Sequence, residues 1–206
     1  MSSPETEPAP SSRIFQVNRT SYTKHYDITT SSGEPLYYAA QSSGISSKTP
    51  DLVLRRGNSN RCPVVAVSYM FRLASGFKIG FGDPDAEESI TWEDLTMQTR
   101  NASEHRLHLG QNDQRSEFVW KRTHSAKVLG EKPRALSMRN YKLLDAETNQ
   151  VLATFRSTPS FKKCGVLQIH LDRGDDFDVM VFITCLSIYE KSRRRQHGAP
   201  IGKDDS

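Results

Sequence analysis

Cysteine is scarce in this chain of 206 residues: Cys62, Cys164 and Cys185 stand far apart, with no CxxC pair and no zinc spacing with histidines. Long hydrophobic runs are missing too. The longest, Phe177 to Tyr189 (FDVMVFITCLSIY), falls short of the about 20 apolar residues that a bilayer requires, so no transmembrane segment is expected. No nucleophile elbow, P-loop, dinucleotide fingerprint or HExxH occurs, so neither an enzyme nor a cofactor is expected. His105 and His108 are three apart on a strand and point to opposite faces, which argues against a metal pair. Asp172, Asp175, Asp176 and Asp178 lack the spacing of an EF-hand loop and read as capping a helix entrance. The opening MSSPETEPAPSS has neither a basic nor an apolar leader region. With the odd cysteine count, a reducing, cytoplasmic setting is expected, peripheral at membranes. The triplets at Asn18 and Asn101 then read as chance glycosylation matches.

What the chain does have is turn-separated strand patterning. Residues 1–12 are Pro-, Ser- and Glu-rich and read as a disordered tail, as do 198–206, leaving 13–197 as one domain. Phe77, Ile79 and Phe81 alternate with Lys78 and Gly80, and Leu167, Ile169 and Leu171 alternate with Gln168 and His170. Hairpins are expected around Ser31–Pro35 and Asp145–Asn149, and 123–139 reads as a long loop. Ten to twelve short strands result, which argues for a barrel or a sandwich. The apolar run competes between helix and buried strand, because Val179, Val181, Ile183 and Ile188 are β-branched. Its length, the preceding Asp175 and Asp176, and the cations Lys191 to Arg195 that suit a helix C-terminus favour a helix at about 176–193. A helix apolar on every side must be enclosed, so a strand-built shell around it is expected.

Two segments, NYKLLDAETNQVLATFRS at Asn140 to Ser157 and the terminal DRGDDFDVMVFITCLSIYEKSRR, resemble the tubby C-terminal-like superfamily. That group includes tubby proteins, phospholipid scramblases and LURP-one-related proteins. The resemblance implies a mainly β fold, a closed antiparallel β-barrel of about twelve strands enclosing one C-terminal hydrophobic α-helix. It also implies phosphoinositide binding through basic surface residues, or membrane association of the scramblase kind. No headgroup motif of the family aligns here, and the scramblases' cysteine-rich segment is absent.

The basic residues Arg55, Arg56, Lys121, Arg122, Lys162, Lys163, Arg193, Arg194 and Arg195 are the candidate lipid or anion ligands. Clustered cations attract anionic headgroups, and arginine adds bidentate phosphate geometry. Trp120 and Phe161 are placed to touch a lipid interface. The net charge of +4 does not call for nucleic acid. The expected role is a non-enzymatic binding module for anionic membrane lipid. A protein-interaction scaffold that docks through the 123–139 loop and the disordered N-terminus is the alternative, and a scramblase-like lipid mover is a third reading.

Overall fold

The computed structural model describes residues 12–20, 24–42, 49–71, 76–86, 90–110, 115–124, 139–158, 160 and 162–196. The two terminal tails and most of the 123–139 loop lie outside them.

Twelve strands follow one another around a closed barrel, and a single helix ends the described chain. They are β1 (Arg13–Thr20), β2 (His25–Thr30), β3 (Pro35–Gln41), β4 (Leu52–Arg56), β5 (Val64–Met70) and β6 (Gly76–Phe81). The second half is β7 (Thr91–Met97), β8 (Glu104–Leu109), β9 (Ser116–Arg122), β10 (Tyr141–Asp145), β11 (Val151–Ser157) and β12 (Lys163–Ile169), followed by α1 (Asp175–Gln196). Each strand pairs antiparallel with the next, and β12 closes on β1 with Phe15 opposite Leu167. Closure removes the exposed edges that an open sheet would have to protect.

The alternation read from the sequence decides what faces the lumen. Phe77 and Ile79 of β6, Leu52 and Leu54 of β4, and Leu167 and Ile169 of β12 are all buried. In α1 every residue from Phe177 to Lys191 is buried, so the helix is surrounded on all sides. Phe182 meets Phe15 edge-on at 5.0 Å and Tyr37 at 5.0 Å. Trp120 and the helix hydroxyls complete the core. Its Nε1 donates to Thr184 Oγ1 at 2.9 Å, and Thr184 donates to the Met180 carbonyl at 2.6 Å. The Ser187 and Ser68 hydroxyls share a hydrogen bond of 2.7 Å. A buried indole needs such a partner. Trp120 is thus a lumen residue, contrary to the lipid-facing position expected for it, and Phe161 lies outside the described residues.

The helix enters beside the end of β12. Gly174 makes the turn at φ +86, a region open to glycine, and its carbonyl accepts from Asp178 N at 3.2 Å. Asp172, Asp175 and Asp178 of the entrance are held in ion pairs. Arg13 grips Asp178 with two bonds of 2.5 and 2.7 Å, and Arg56 binds Asp175 at 2.7 Å. Among the described residues no helix is long and apolar enough to cross a membrane.

Candidate functional site at the basic end of the barrel

The up-and-down topology gives the barrel two ends. Residues Ile169, Arg56, Phe81 and Asp145 lie at the end where α1 enters, and Lys163, Arg122, Tyr141 and Gly76 lie at the end where it leaves. The entry end carries Glu34, Asp83, Asp85, Glu147, Asp172 and Asp176 in its turns and first helical turn. Arg195, Lys162 and Lys163 are exposed at the exit end and make no ion pair among the described residues. The two ends match the helix dipole, carboxylates at its positive end and cations at its negative end.

The pleat divides the basic pairs seen in the sequence. On β9, Phe118 and Trp120 face the lumen, so Arg122 turns inward at the rim while Lys121 turns outward, 3.5 Å from Glu104. Arg55 and Arg56 sit at the opposite, entry end, where Arg55 donates to the Cys62 carbonyl at 2.8 Å and Arg56 is paired with Asp175. They cannot act with Lys162, Lys163 or Arg195 on one ligand.

Arg193 and Arg194 belong to a structural network. Glu190, fully buried, accepts from Tyr26 Oη at 2.5 Å, from Arg193 Nε at 2.7 Å and from Arg194 Nε at 2.8 Å. Arg194 continues to Asp51 at 2.5 Å, and Asp51 accepts from Met70 N at 2.8 Å. Burial alone would raise the Glu190 pKa, but its bonds to Arg193, Tyr26 and Arg194 outweigh it and hold the carboxyl below its ordinary value. Neither arginine is available to a ligand.

Beside this network the exit end opens into a cavity of 170 Å³ lined in part by Phe77, His105, Arg122, Tyr141, Lys191 and Arg195. Arg122 Nη2 donates to the carbonyls of Asn101 at 3.1 Å and Ala102 at 3.3 Å, and its Nε is buried without a partner among the described residues. Lys191 leans over the Phe77 ring at 4.6 Å and donates to the Gly76 carbonyl at 3.0 Å. Burial, then the charge of Arg195, lowers its pKa to about 8 against the opposing pull of Asp51. His105 is 3% exposed, and its Nδ1 has no partner among the described residues. Burial, with Lys191, Arg195 and Arg122 adding to it, lowers its pKa to about 3, so the ring is neutral. Burial raises the Tyr141 phenol, and hydrogen bonds with Ser192 and Arg122 partly offset this.

Two candidate residues, Arg122 and Arg195, thus meet at one cavity, and Lys162 and Lys163 share its end of the barrel three strands from β9. His105, Tyr141 and Lys191, which are not among the candidates read from the sequence, line the same cavity. The opposite facing of His105 (buried) and His108 (exposed) follows the expected pleat.

No family profile matches this chain, and no curated protein matches it. Among solved structures, the X-ray structure of a protein from Arabidopsis thaliana is similar at a TM-score of 0.53 and 13% identity, over 90% of this chain and 94% of that one. At that identity the two share a fold, the closed barrel around one helix.

Proposed function

We propose that this chain is a tubby C-terminal-like barrel that binds anionic membrane lipid, of the phosphoinositide type, through its basic end. The observation that carries the reading is that Lys162, Lys163 and Arg195, exposed and without an ion pair among the described residues, lie at the end where the helix leaves, the end that also holds the cavity lined by Arg122 and Arg195. Each cation near an anionic surface contributes about 1 kcal/mol, so a rim of this size supports reversible, salt-sensitive attachment. The acidic turns at the opposite end favour one orientation, with the basic end toward the membrane. The resemblance of the Asn140 to Ser157 hairpin and the terminal helix to the tubby superfamily points the same way.

The enclosed helix supports a module that binds at its surface, since the lumen is filled by side chains. A lipid-moving role would require the Glu190 and Asp51 network to break so that α1 could leave. Co-sedimentation with neutral and phosphoinositide-containing vesicles tests the proposal. Binding only to the anionic vesicles, lost as salt rises, is expected. Equal recovery with both vesicles, or none at low salt, would count against it and direct attention to protein partners.

A further inference from the structure

We infer that the seam between β7 and β8 is a docking site for an extended segment of a partner protein. The segment adds a short strand at the entry end and carries an apolar residue beside lysine or arginine. The inference stands apart from the lipid reading, which uses the opposite end. Neighbouring strands elsewhere in the wall share four to six paired positions, but β7 and β8 share two, Thr96 opposite Arg106 and Met97 opposite His105. One more bond follows toward the exit end, from Gln98 N to the Glu104 carbonyl at 2.9 Å. Toward the entry end both strands run on without each other. β7 stays in register with β6 as far as Thr91 opposite Phe81, and β8 with β9 as far as Leu109 opposite Ser116. In an antiparallel strand, successive residues turn their backbone groups to opposite neighbours. Gln98 and Glu104 face each other, so Trp92, Asp94 and His108, each an even number of residues along, turn theirs into the seam. All three residues are exposed, and no ladder bond joins the two strands there among the described residues. Such an edge is a template for another strand, and β7 offers the longer one.

The space around the seam is the second observation. A cleft of 440 Å³ lies over its outer side, lined in part by Trp92, Asp94, Thr96 and His108. Another of 710 Å³ opens at its entry mouth, where Phe81, Leu109 and Val179 supply apolar wall. Val179 belongs to α1, so this cleft reaches the central helix. Glu93, in register with Ile79, faces inward, and Arg115 pairs with it across the seam. That pair, with the Arg115 side chain 46% exposed, contributes little and yields to an incoming strand. A lipid chain or an apolar solute offers the edge no hydrogen bonds, whereas an extended peptide matches its spacing of donors and acceptors. Asp83 and Asp176 line the same mouth and outnumber its cation Arg56, which Asp175 already holds at 2.7 Å. A lysine or arginine beside the apolar residue complements that charge. The chain's first twelve residues hold two glutamates and no lysine or arginine, which favours a partner's segment over this tail.

The test is selection of displayed random heptapeptides on the full-length protein, followed by calorimetry and amide hydrogen exchange with the enriched peptide. Enrichment of an apolar residue flanked by lysine or arginine is expected. In the free protein the Trp92 and Asp94 amides should exchange quickly, while those of Leu95 and Leu107, which face β6 and β9, stay protected. The peptide is expected to slow Trp92 and Asp94 about tenfold. Asp94→Pro removes a seam-facing N–H without touching the β6 ladder, and is expected to weaken binding about tenfold. Asp94→Ala, which keeps the amide, should weaken it about twofold. No enriched sequence, enrichment of acidic peptides, or a bound peptide that leaves the Asp94 amide unprotected would overturn the inference. Equal weakening by Asp94→Pro and Asp94→Ala would overturn it too, since contact would then run through the side chain alone. Protection of Asp94 without peptide, rising with protein concentration alongside a dimer in sedimentation, would assign the seam to a second copy and overturn the partner segment. The exchange readings use the natural protein, so they decide the matter even where Asp94→Pro does not fold.

Discussion

Single residues at the exit end set how the protein answers to pH. The His105 pKa of about 3 lies below the usual 6.5. Above pH 6.5 the ring is neutral whether the chain is folded or not, and its contribution is constant. Below it the unfolded chain takes a proton that the folded one refuses, so stability falls between pH 6.5 and 3 at up to about 1.4 kcal/mol per pH unit. Burial lowers the His170 pKa as well, which adds a slope of the same sign. Urea midpoints at pH 7, 6, 5 and 4 for the natural protein and His105→Gln isolate the first contribution. The variant should lose less stability on acidification, and parallel curves would refute the assignment. Glu190 acts in a different window. Its depressed pKa contributes stability above the unfolded value near 4.3, lost as pH falls through the folded value. Glu190→Gln leaves two buried arginine bonds without their charge partner and is expected to cost about 3–5 kcal/mol at pH 7, read from the same unfolding curves.

At the scale of elements, the barrel depends on filling its lumen and on keeping β12 flush against its neighbours. Phe182→Asp places an unpaired charge between Phe15 and Tyr37. The cost of several kcal/mol rivals a total stability of about 5–15 kcal/mol, so a folded variant of normal midpoint would contradict the enclosed helix. Gly165 is a second sensitive point. A Cβ there would lie 2.3 Å from the Arg156 carbonyl oxygen and 2.7 Å from the Phe155 ring. Gly165→Ala should therefore push β11 from β12 and cost about 1–3 kcal/mol in thermal or urea unfolding. Much of this was legible in the sequence, because a period of two reports which strand residues face inward and an all-round apolar helix has to be enclosed. Glu190 offered a signal too. A carboxylate at i−3 and i−4 to Arg193 and Arg194, in a turn where the dipole disfavours it, points to local pairing. Asp51 gave no such sign, since it meets Arg194 only through closure of the barrel. Adjacent basic residues misled for a related reason: Lys121 and Arg122 are neighbours in sequence and on opposite faces in the wall. Trp120, followed by Lys121 and Arg122, has the sequence setting of an interface residue, yet the same alternation places it against Thr184.

Over the whole molecule, the barrel holds two unlike poles apart by the length of its helix. A helix of 22 residues separates them by about 33 Å, several Debye lengths at physiological salt. Each pole therefore meets a partner almost independently of the other. The central claim is that anionic membranes are met by the exit pole. The direct test is vesicle co-sedimentation of three proteins, with phosphoinositide-containing vesicles at low and moderate salt. These are the natural chain, a basic-pole variant (Lys162→Glu, Lys163→Glu) and an entry-pole variant (Arg55→Gln, Arg56→Gln). The account predicts strong low-salt binding by the natural chain and the entry-pole variant, with most binding lost in the basic-pole variant. Binding that survives Lys162→Glu with Lys163→Glu but fails with Arg55→Gln and Arg56→Gln would contradict it.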